Sequence, residues 1–170
     1  TDLIDSLYNG LPTGFIVIWS NENIKLKDGT TSIGKKIIID GQQRITALRS
    51  ALLGQSVITS EYTERNFKVA YNPFTEKFET YMPIHDKSSK WISDISILFN
   101  KGHGEILKFV KDYVVKNPEI TEEDLLEKID KVINIANREI GVVNLSPKLS
   151  ISEATNIFNL MRSEERRVGK

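Results

Sequence analysis

The strongest constraint on the fold is a short apolar run that leads directly into a helical pattern. Three consecutive isoleucines, Ile37, Ile38 and Ile39, are typical of a strand buried on both faces. After Asp40, residues 41–53 place their apolar side chains on one helical face, and a glycine follows. A strand that passes into a helix without a long connection predicts a domain that mixes both kinds of element.

The other hydrophobic patterns divide the chain between strands and helices. Apolar runs predict strands at 15–19, 35–39, 67–71, 77–81 and 140–145. Helical spacing and capping signals predict helices at 2–8, 41–53 and 105–116, one that begins after Thr121, and a last one that begins after Ser150. The fold class that we expect is therefore α+β, with a mixed sheet and a helical C-terminal half.

Composition excludes several kinds of protein. With 170 residues, 39% of them hydrophobic, the chain is long enough for one domain with a sizeable core. It has no cysteine, which excludes disulfides and thiolate metal sites and fits a reducing cytoplasm. No apolar run approaches the ~20 residues that cross a bilayer, so we expect no membrane partner. The 23 basic and 23 acidic residues balance, so overall charge gives no support for nucleic-acid binding.

The strand-to-helix junction is the best candidate for a binding site. A helix start leaves about four backbone N–H groups without intrahelical partners, and the peptide dipoles place roughly half a positive charge there. A purely structural explanation is also available, in which Asp40 caps the helix and Gln43 completes a capping box. That explanation leaves two residues unexplained. Arg44 opposes the dipole by about 0.3–1 kcal/mol, and Gly41 inside a helix costs ~1 kcal/mol relative to alanine. A bound anion would compensate both, so we expect a phosphate site.

Several stretches of the chain resemble one known family in the expected order. The Asp-Gly-Gln-Gln-Arg string at positions 40–44 resembles the signature of the domain-of-unknown-function 262 family, the N-terminal domains of GmrSD-type modification-dependent restriction enzymes and related phage-defence proteins. The resemblance covers nearly all of residues 1–161. Its other landmarks are the stretches 3–7, 12–14, 71–73 with Phe78, 91–95 and 154–158.

The resemblance implies a fold, an activity and roles for the five junction residues. The wider superfamily, which includes ParB partition proteins and sulfiredoxin, holds nucleotide phosphates at a Gly-x-x-Arg helix start, which Gly41 and Arg44 match. It implies a nucleoside triphosphatase that uses GTP or ATP with Mg²⁺ and controls a nuclease, on a C-terminal or separate domain, that acts on DNA, possibly modified. Gly41, Gln42 and Gln43 would then offer N–H groups to the phosphates, and Arg44 would bind phosphate oxygens. Asp40 would hold magnesium or orient the attacking water, and Gln42 or Gln43 could also orient it.

The chain departs from the family pattern at both ends. The family usually carries a Gln-Arg…Tyr…Trp motif just upstream of Thr1, and an Asn-containing, Gly-rich segment after Phe158. Residues 162–170 instead resemble the in-frame translation of a short-read sequencing adapter. We therefore expect a partial nucleotide-binding domain at 1–161, a non-native tail at 162–170, and little activity from this fragment alone.

Two other functions are compatible with the sequence, and a few other residues have side chains that could bind a ligand. The domain could bind nucleotide without turnover, as a nucleotide-gated DNA adaptor, or could itself cleave DNA, although it carries no nuclease motif. His85 and His103 are predicted as ordinary surface or loop residues because neither has a second ligand at metal spacing. Trp19 and Trp91 are predicted in the core. The lysines at positions 25, 27, 35 and 36 could form a small basic rim near the junction.

Overall fold

The computed structural model describes residues 1–21, 29–31, 35–58 and 64–168, without the side chains of residues 58, 64, 65 and 162–168. It confirms the α+β class. The helices are α1 Asp2–Tyr8, α2 Gln42–Leu53, α3 Pro83–Asp86, α4 Ser96–Asn100, α5 His103–Lys116, α6 Glu122–Ile133 and α7 Ile151–Val168, with a 3-10 turn at Asn134–Asn137. The strands are β1 Phe15–Trp19, β2 Ile37–Asp40, β3 Val57–Ile58, β4 Glu64–Arg65, β5 Val69–Asn72, β6 Lys77–Thr80 and β7 Gly141–Leu145.

Most of the predicted elements are confirmed within two residues at each end. The prediction that the isoleucine strand β2 is buried on both faces is wrong, because Ile38 is 37% exposed. The short elements α3, α4, β3 and β4 were not predicted, because two to five residues are too few to show a period. The capping box at Ser150 is confirmed: its Oγ accepts from Glu153 N at 3.3 Å, and its N donates to Glu153 Oε2 at 2.8 Å. The backbone of α7 stays helical through Val168. The helix therefore does not end at residue 161, where the predicted tail 162–170 begins.

The chain forms two compact units, of which the first comprises Thr1–Thr13 and Gln43–Glu139. The hydrophobic core of this unit lies between the β5–β6 hairpin and the helices α5 and α6. The apolar faces of α5 and α6 are buried, as their spacing predicts. Fully or almost fully buried side chains of this unit are Tyr8, Tyr71, Ile95, Leu98, Val110, Leu125, Ile129 and Val132.

The second unit comprises Gly14–Gln42 and Ile140–Lys170 and contains the sheet that leads to the junction. Its strand order is β2-β1-β7, with β1 antiparallel to β2 and parallel to β7, so the sheet is mixed as expected. One face of the sheet packs on α7 around Val17, Trp19, Leu145 and Ala154. Trp19 is 3% exposed, and its indole Nε1 donates to Ser146 O at 3.0 Å. The prediction that Trp19 lies in the core is confirmed.

No helix in the described ranges combines the length and apolar character that crossing a membrane requires.

Candidate functional site

Residues Asp40–Arg44, here called the junction segment, form one continuous bend between β2 and α2. Strand β2 ends at Asp40, helix α2 begins at Gln42, and Gly41 between them has φ +92°. The expectation that Gly41 lies inside the helix is therefore wrong, and so is the helix-interior penalty assigned to it. Left-handed backbone is what requires glycine here, because other residues adopt it only with strain.

The helix start also changes the structural explanation for Asp40 and Gln43. With α2 beginning at Gln42, the cap position falls on Gly41 and the third helical residue is Arg44. Asp40 and Gln43 are three residues apart, as a capping box requires, but Asp40 lies one residue before the cap position. Gly41 has no side chain with which to cap the helix. The capping box predicted from Asp40 and Gln43 is therefore out of register with the start of α2.

The space beside Gly41 is filled by the neighbouring strand β1. A Cβ atom at Gly41 would lie 3.0 Å from Ile16 Cγ1 and 3.3 Å from Ile16 Cα. Gly41 itself is buried, whereas Gln42 and Gln43 are exposed and Arg44 is partly buried. The missing side chain therefore makes room for Ile16, and the exposed side chains of the junction segment are those of Gln42 and Gln43. Sequence reasoning did not identify Ile16, because its contact with Gly41 depends on strand pairing.

A β-bulge lies directly before the junction segment. Ile18 pairs with Ile38 and Val17 pairs with Asp40, so Ile39 is the extra residue on β2. A bulge of this kind bends its strand and changes the direction of the side chains beside it. The bulge thus sets the direction in which Asp40, partly buried, leaves the sheet.

The start of α2 is suited to an anion. Its first N–H groups have no intrahelical acceptors, and the dipole is positive there. The first turn carries no acidic residue, and its charged side chain is Arg44. Lys35 and Lys36, just before β2, are exposed; Lys25 and Lys27, the other half of the predicted basic rim, lie outside the described residues. Backbone N–H donors at a helix start and guanidinium groups are common partners of phosphate oxygens in proteins.

Asp40 is the carboxylate that this segment offers to a metal ion. Mg²⁺ is commonly held by one or two carboxylates together with substrate phosphates and water, so a single aspartate fits such an ion when a triphosphate is bound. Among the described residues, no group of three or more His, Cys, Asp or Glu side chains is placed to hold a metal by itself. A metal bound here would therefore depend on its nucleotide.

The comparison with known families decides what kind of domain this is. The profile of the GmrSD restriction endonuclease N-terminal domain matches residues 1–167, almost the whole chain. The chain belongs to this family. It is therefore a domain of a restriction or phage-defence protein. The resemblance inferred from the junction segment and the other landmarks is confirmed. A search of curated proteins finds no match to the chain.

This GmrSD domain also contains a charged and aromatic cluster that the sequence did not predict. The Tyr8 hydroxyl donates to Glu76 Oε2 at 2.5 Å and lies 2.9 Å from the Tyr71 hydroxyl. Lys131 Nζ donates to Glu76 Oε2 at 3.2 Å and lies 4.1 Å from the centre of the Tyr8 ring. Lys128 Nζ is 3.8 Å from Glu76 Oε1. We call these five residues the Glu76 cluster.

The environment of the Glu76 cluster shifts the pKa values of its acidic groups. The hydrogen bond from Tyr8, followed by the nearby lysines, lowers the pKa of Glu76. Burial raises the pKa of Tyr71 to about 12, and burial together with the Glu76 hydrogen bond raises that of Tyr8 further. Glu76 also has φ +52°, which is uncommon for a residue with a side chain. All polar groups of the cluster have partners, which indicates that it stabilises the fold.

The prediction for His85 as a surface or loop residue is wrong. His85 is 2% exposed, and its ring lies 4.5 Å from the Trp91 ring. Its Nδ1 accepts from Met82 N at 3.0 Å, so Nε2 carries the proton and donates to Glu79 Oε2 at 3.1 Å. His85 is thus a hydrogen-bonded core residue of the GmrSD domain. His103 is exposed, as predicted, and Trp91 is only partly buried.

A shallow polar hollow at the end of α1 is the main competitor of the junction segment as a binding site. It is lined by Leu7, Gly10, Leu11, Asn137, Arg138 and Glu139. The Arg138 Nε donates to Leu7 O at 3.0 Å, so its charge already serves the last carbonyls of α1. The hollow is therefore explained by helix capping, and the junction segment remains the stronger candidate.

Proposed function

We propose that this domain binds a nucleoside triphosphate at the junction segment and hydrolyses it with Mg²⁺. In this proposal, nucleotide state controls a nuclease, on a C-terminal or separate domain, that acts on DNA. The observation that carries the proposal is the bend at Gly41, because it places a helix start with no acidic residue in its first turn directly after a strand. Membership of a restriction endonuclease family supports the link to a nuclease and DNA.

Each residue of the junction segment has a role in the proposal. The N–H groups of Gly41, Gln42 and Gln43 would donate to phosphate oxygens, and the Arg44 guanidinium would pair with two of them. Asp40 would hold the magnesium ion or orient the attacking water, and Gln43 could orient that water through its amide. Since phosphoryl transfer depends mainly on positioning and charge, the rigid bend at Gly41 contributes by fixing these donors.

The decisive experiment separates binding from turnover in the full-length gene product. Calorimetry with GTP, ATP and inorganic tripolyphosphate measures affinity, and phosphate release with and without magnesium measures hydrolysis. We expect magnesium-dependent release, which Asp40→Ala abolishes while nucleotide affinity stays within a few-fold of wild type. Asp112→Ala, an exposed carboxylate on α5, is the matched control and should change neither quantity. Absence of binding in the wild type would contradict the whole proposal.

One observation favours a second function, in which the domain binds nucleotide without hydrolysing it. The junction segment offers a single carboxylate, and the described residues form no larger metal-binding group. A nucleotide-gated DNA adaptor needs only the phosphate contacts. Tight binding of GTP or ATP without phosphate release, together with nucleotide-dependent DNA binding, would establish this function instead.

A further inference from the structure

Strand β1 pairs with β2, the strand that leads into the junction segment, and its residue Ile16 lies beside Gly41. The nearest atoms to the missing Cβ of Gly41 are all from Ile16: Cγ1 at 3.0 Å, Cα at 3.3 Å and Cβ at 3.4 Å. These distances are shorter than ordinary contacts of a real Cβ atom, so Ile16 occupies the space that a side chain at Gly41 would need. Ile16 is β-branched, which restricts its side chain to few rotamers. The Ile16 side of this close approach therefore has little conformational freedom.

Ile16 and the bulge at Ile39 together determine where the bend begins. The pairing of Val17 with Asp40 ends the regular ladder one residue before Gly41. Beyond that point Gly41 has left-handed backbone, which glycine adopts freely but does not prefer over other conformations. A glycine held by nothing would sample several backbone conformations, so something else must select φ +92°. Ile16 is the residue whose atoms lie nearest to the side-chain position of Gly41.

We infer that Ile16 is a positioning residue for phosphate binding at the junction segment. Its side chain holds Gly41 in the left-handed conformation and thereby fixes the direction of the N–H groups that follow. The inference rests on the proposed nucleotide-binding function and adds to it a residue outside the family signature. Affinity depends on this residue because a binding loop that is already ordered loses less conformational entropy when the ligand binds.

The test compares three variants of the full-length gene product on the same strand. Ile16→Ala removes Cγ1, whereas Ile16→Val keeps both branches at Cβ and loses only the terminal methyl. Ile18→Ala is the matched control: Ile18 is on the same strand, is 9% exposed and pairs with Ile38 rather than with the junction segment. The probes are GTP, ATP and inorganic tripolyphosphate with magnesium, and the readouts are affinity and melting temperature.

We expect Ile16→Ala to weaken binding of all three probes about tenfold, the equivalent of losing one charge-assisted hydrogen bond. Ile16→Val should restore affinity to within a few-fold of wild type. Ile18→Ala should lower the melting temperature at least as much as Ile16→Ala, because Ile18 is more buried, yet leave affinity unchanged. This split distinguishes positioning from general destabilisation.

A double mutant makes the contact itself measurable without any nucleotide. Gly41→Ala should lower the melting temperature less in the Ile16→Ala background than in wild type, because the Cγ1 collision is then absent. If the wild type binds the probes but Ile16→Ala and Ile18→Ala affect affinity equally, the positioning role is refuted while the proposed function stands. If the wild type binds none of the probes, both are refuted, whatever the melting temperatures show.

Discussion

Two helix starts in this molecule, those of α6 and α2, place opposite charges at the positive end of the helix dipole. At α6, the Thr121 hydroxyl accepts from Asp124 N at 3.1 Å, and three consecutive acidic residues, Glu122, Glu123 and Asp124, lie in the first turn. The helix thus supplies its own cap and its own negative charge. At α2, the cap position is a glycine and the first turn carries a cation, Arg44, and no acid.

The difference separates a helix start with a side-chain cap and three acidic residues from one whose first turn carries no acidic residue. The start of α6 needs nothing more, since its dipole meets three carboxylates. The start of α2 accumulates positive charge from the dipole and Arg44, an arrangement that an anion would stabilise. Departures from local sequence rules are expected at functional sites. The following predictions test whether α2 is such a site and α6 is not.

The largest effect should come from adding a side chain at Gly41. Gly41→Ala imposes strain at φ +92° and a collision with Ile16, so the junction segment must move and its N–H donors must lose their direction. We expect nucleotide affinity to fall roughly a hundredfold or more, the loss of about two charge-assisted hydrogen bonds. Calorimetric titration with GTP, ATP and tripolyphosphate measures it.

The other end of the same helix offers the control for that variant. Gly54 ends α2 with φ +64°, and a Cβ there would lie 3.0 Å from Ser96 Oγ. Gly54→Ala therefore imposes similar backbone strain and a similar close contact, but at a helix end that only terminates the element. It should lower the melting temperature and keep affinity. Equal losses of affinity in both variants would mean that the helix as a whole, and not its start, determines binding.

Removal of the Arg44 guanidinium should have the next largest effect. Arg44→Ala should weaken nucleotide binding by roughly 1.5–3 kcal/mol, the range for a hydrogen bond to a charged group. Arg49 lies on the same helix, is exposed, and bonds Gln55 Oε1 at 2.8 Å near the C-terminal end. Arg49→Ala removes the same charge from α2 and should leave affinity nearly unchanged. Equal affinity of Arg44→Ala and wild type would remove Arg44 from the proposed site.

At the α6 start the effect should be on stability alone. Thr121→Ala removes the side-chain cap and should lower the free energy of unfolding by about 1 kcal/mol. Nucleotide affinity should be unchanged, because α6 has no role in the proposed site. Chemical denaturation and calorimetry on the same protein measure the two quantities. A drop in nucleotide affinity in Thr121→Ala would show that the start of α6 also affects binding.

The sequence predicted those features that depend on neighbours along the chain. The cap at Thr121, the capping box at Ser150 and the order of strand and helix around Asp40 all follow from residues within four positions of each other. Hydrophobic spacing also predicted the buried faces of α5 and α6, because helical period fixes which side chains share a face.

Features that depend on distant residues were missed or misread. Tyr8 and Glu76 are 68 positions apart, so nothing in either local pattern indicates their hydrogen bond. His85 was predicted at the surface because its burial depends on Trp91 and Glu79, which the fold brings around it. The role of Gly41 was misassigned for the same reason: the packing of Ile16 against it comes from the pairing of two strands.

The smallest expected effect is on the pH dependence of stability, and it involves the two lysines of α6 that lie near Glu76. Lys128 and Lys131 face Glu76, whose pKa is held below its ordinary value of 4.5, first by Tyr8 and then by these lysines; Tyr71 completes the cluster. A carboxyl group with a lowered pKa in the folded state contributes stability above its unfolded pKa and loses it as pH falls through the folded value. We therefore expect part of the stability of the domain to disappear as pH falls below about 4.5.

The Glu76→Gln variant isolates this contribution from the other carboxylates of the domain. Glutamine keeps the shape of the side chain but not its charge, so the variant should be less stable than wild type at pH 7. The difference in melting temperature should shrink as pH falls and vanish below the folded pKa of Glu76. The effect should be modest, because the Glu76 side chain is 39% exposed and solvent screens its ion pairs.

Nucleotide affinity at pH 7 should be the same in both proteins. A difference in melting temperature that persists at low pH would show that Glu76 acts through packing or through its backbone conformation, φ +52°, rather than through its charge. A loss of affinity would show that the self-compensated α6 region and the start of α2 are coupled.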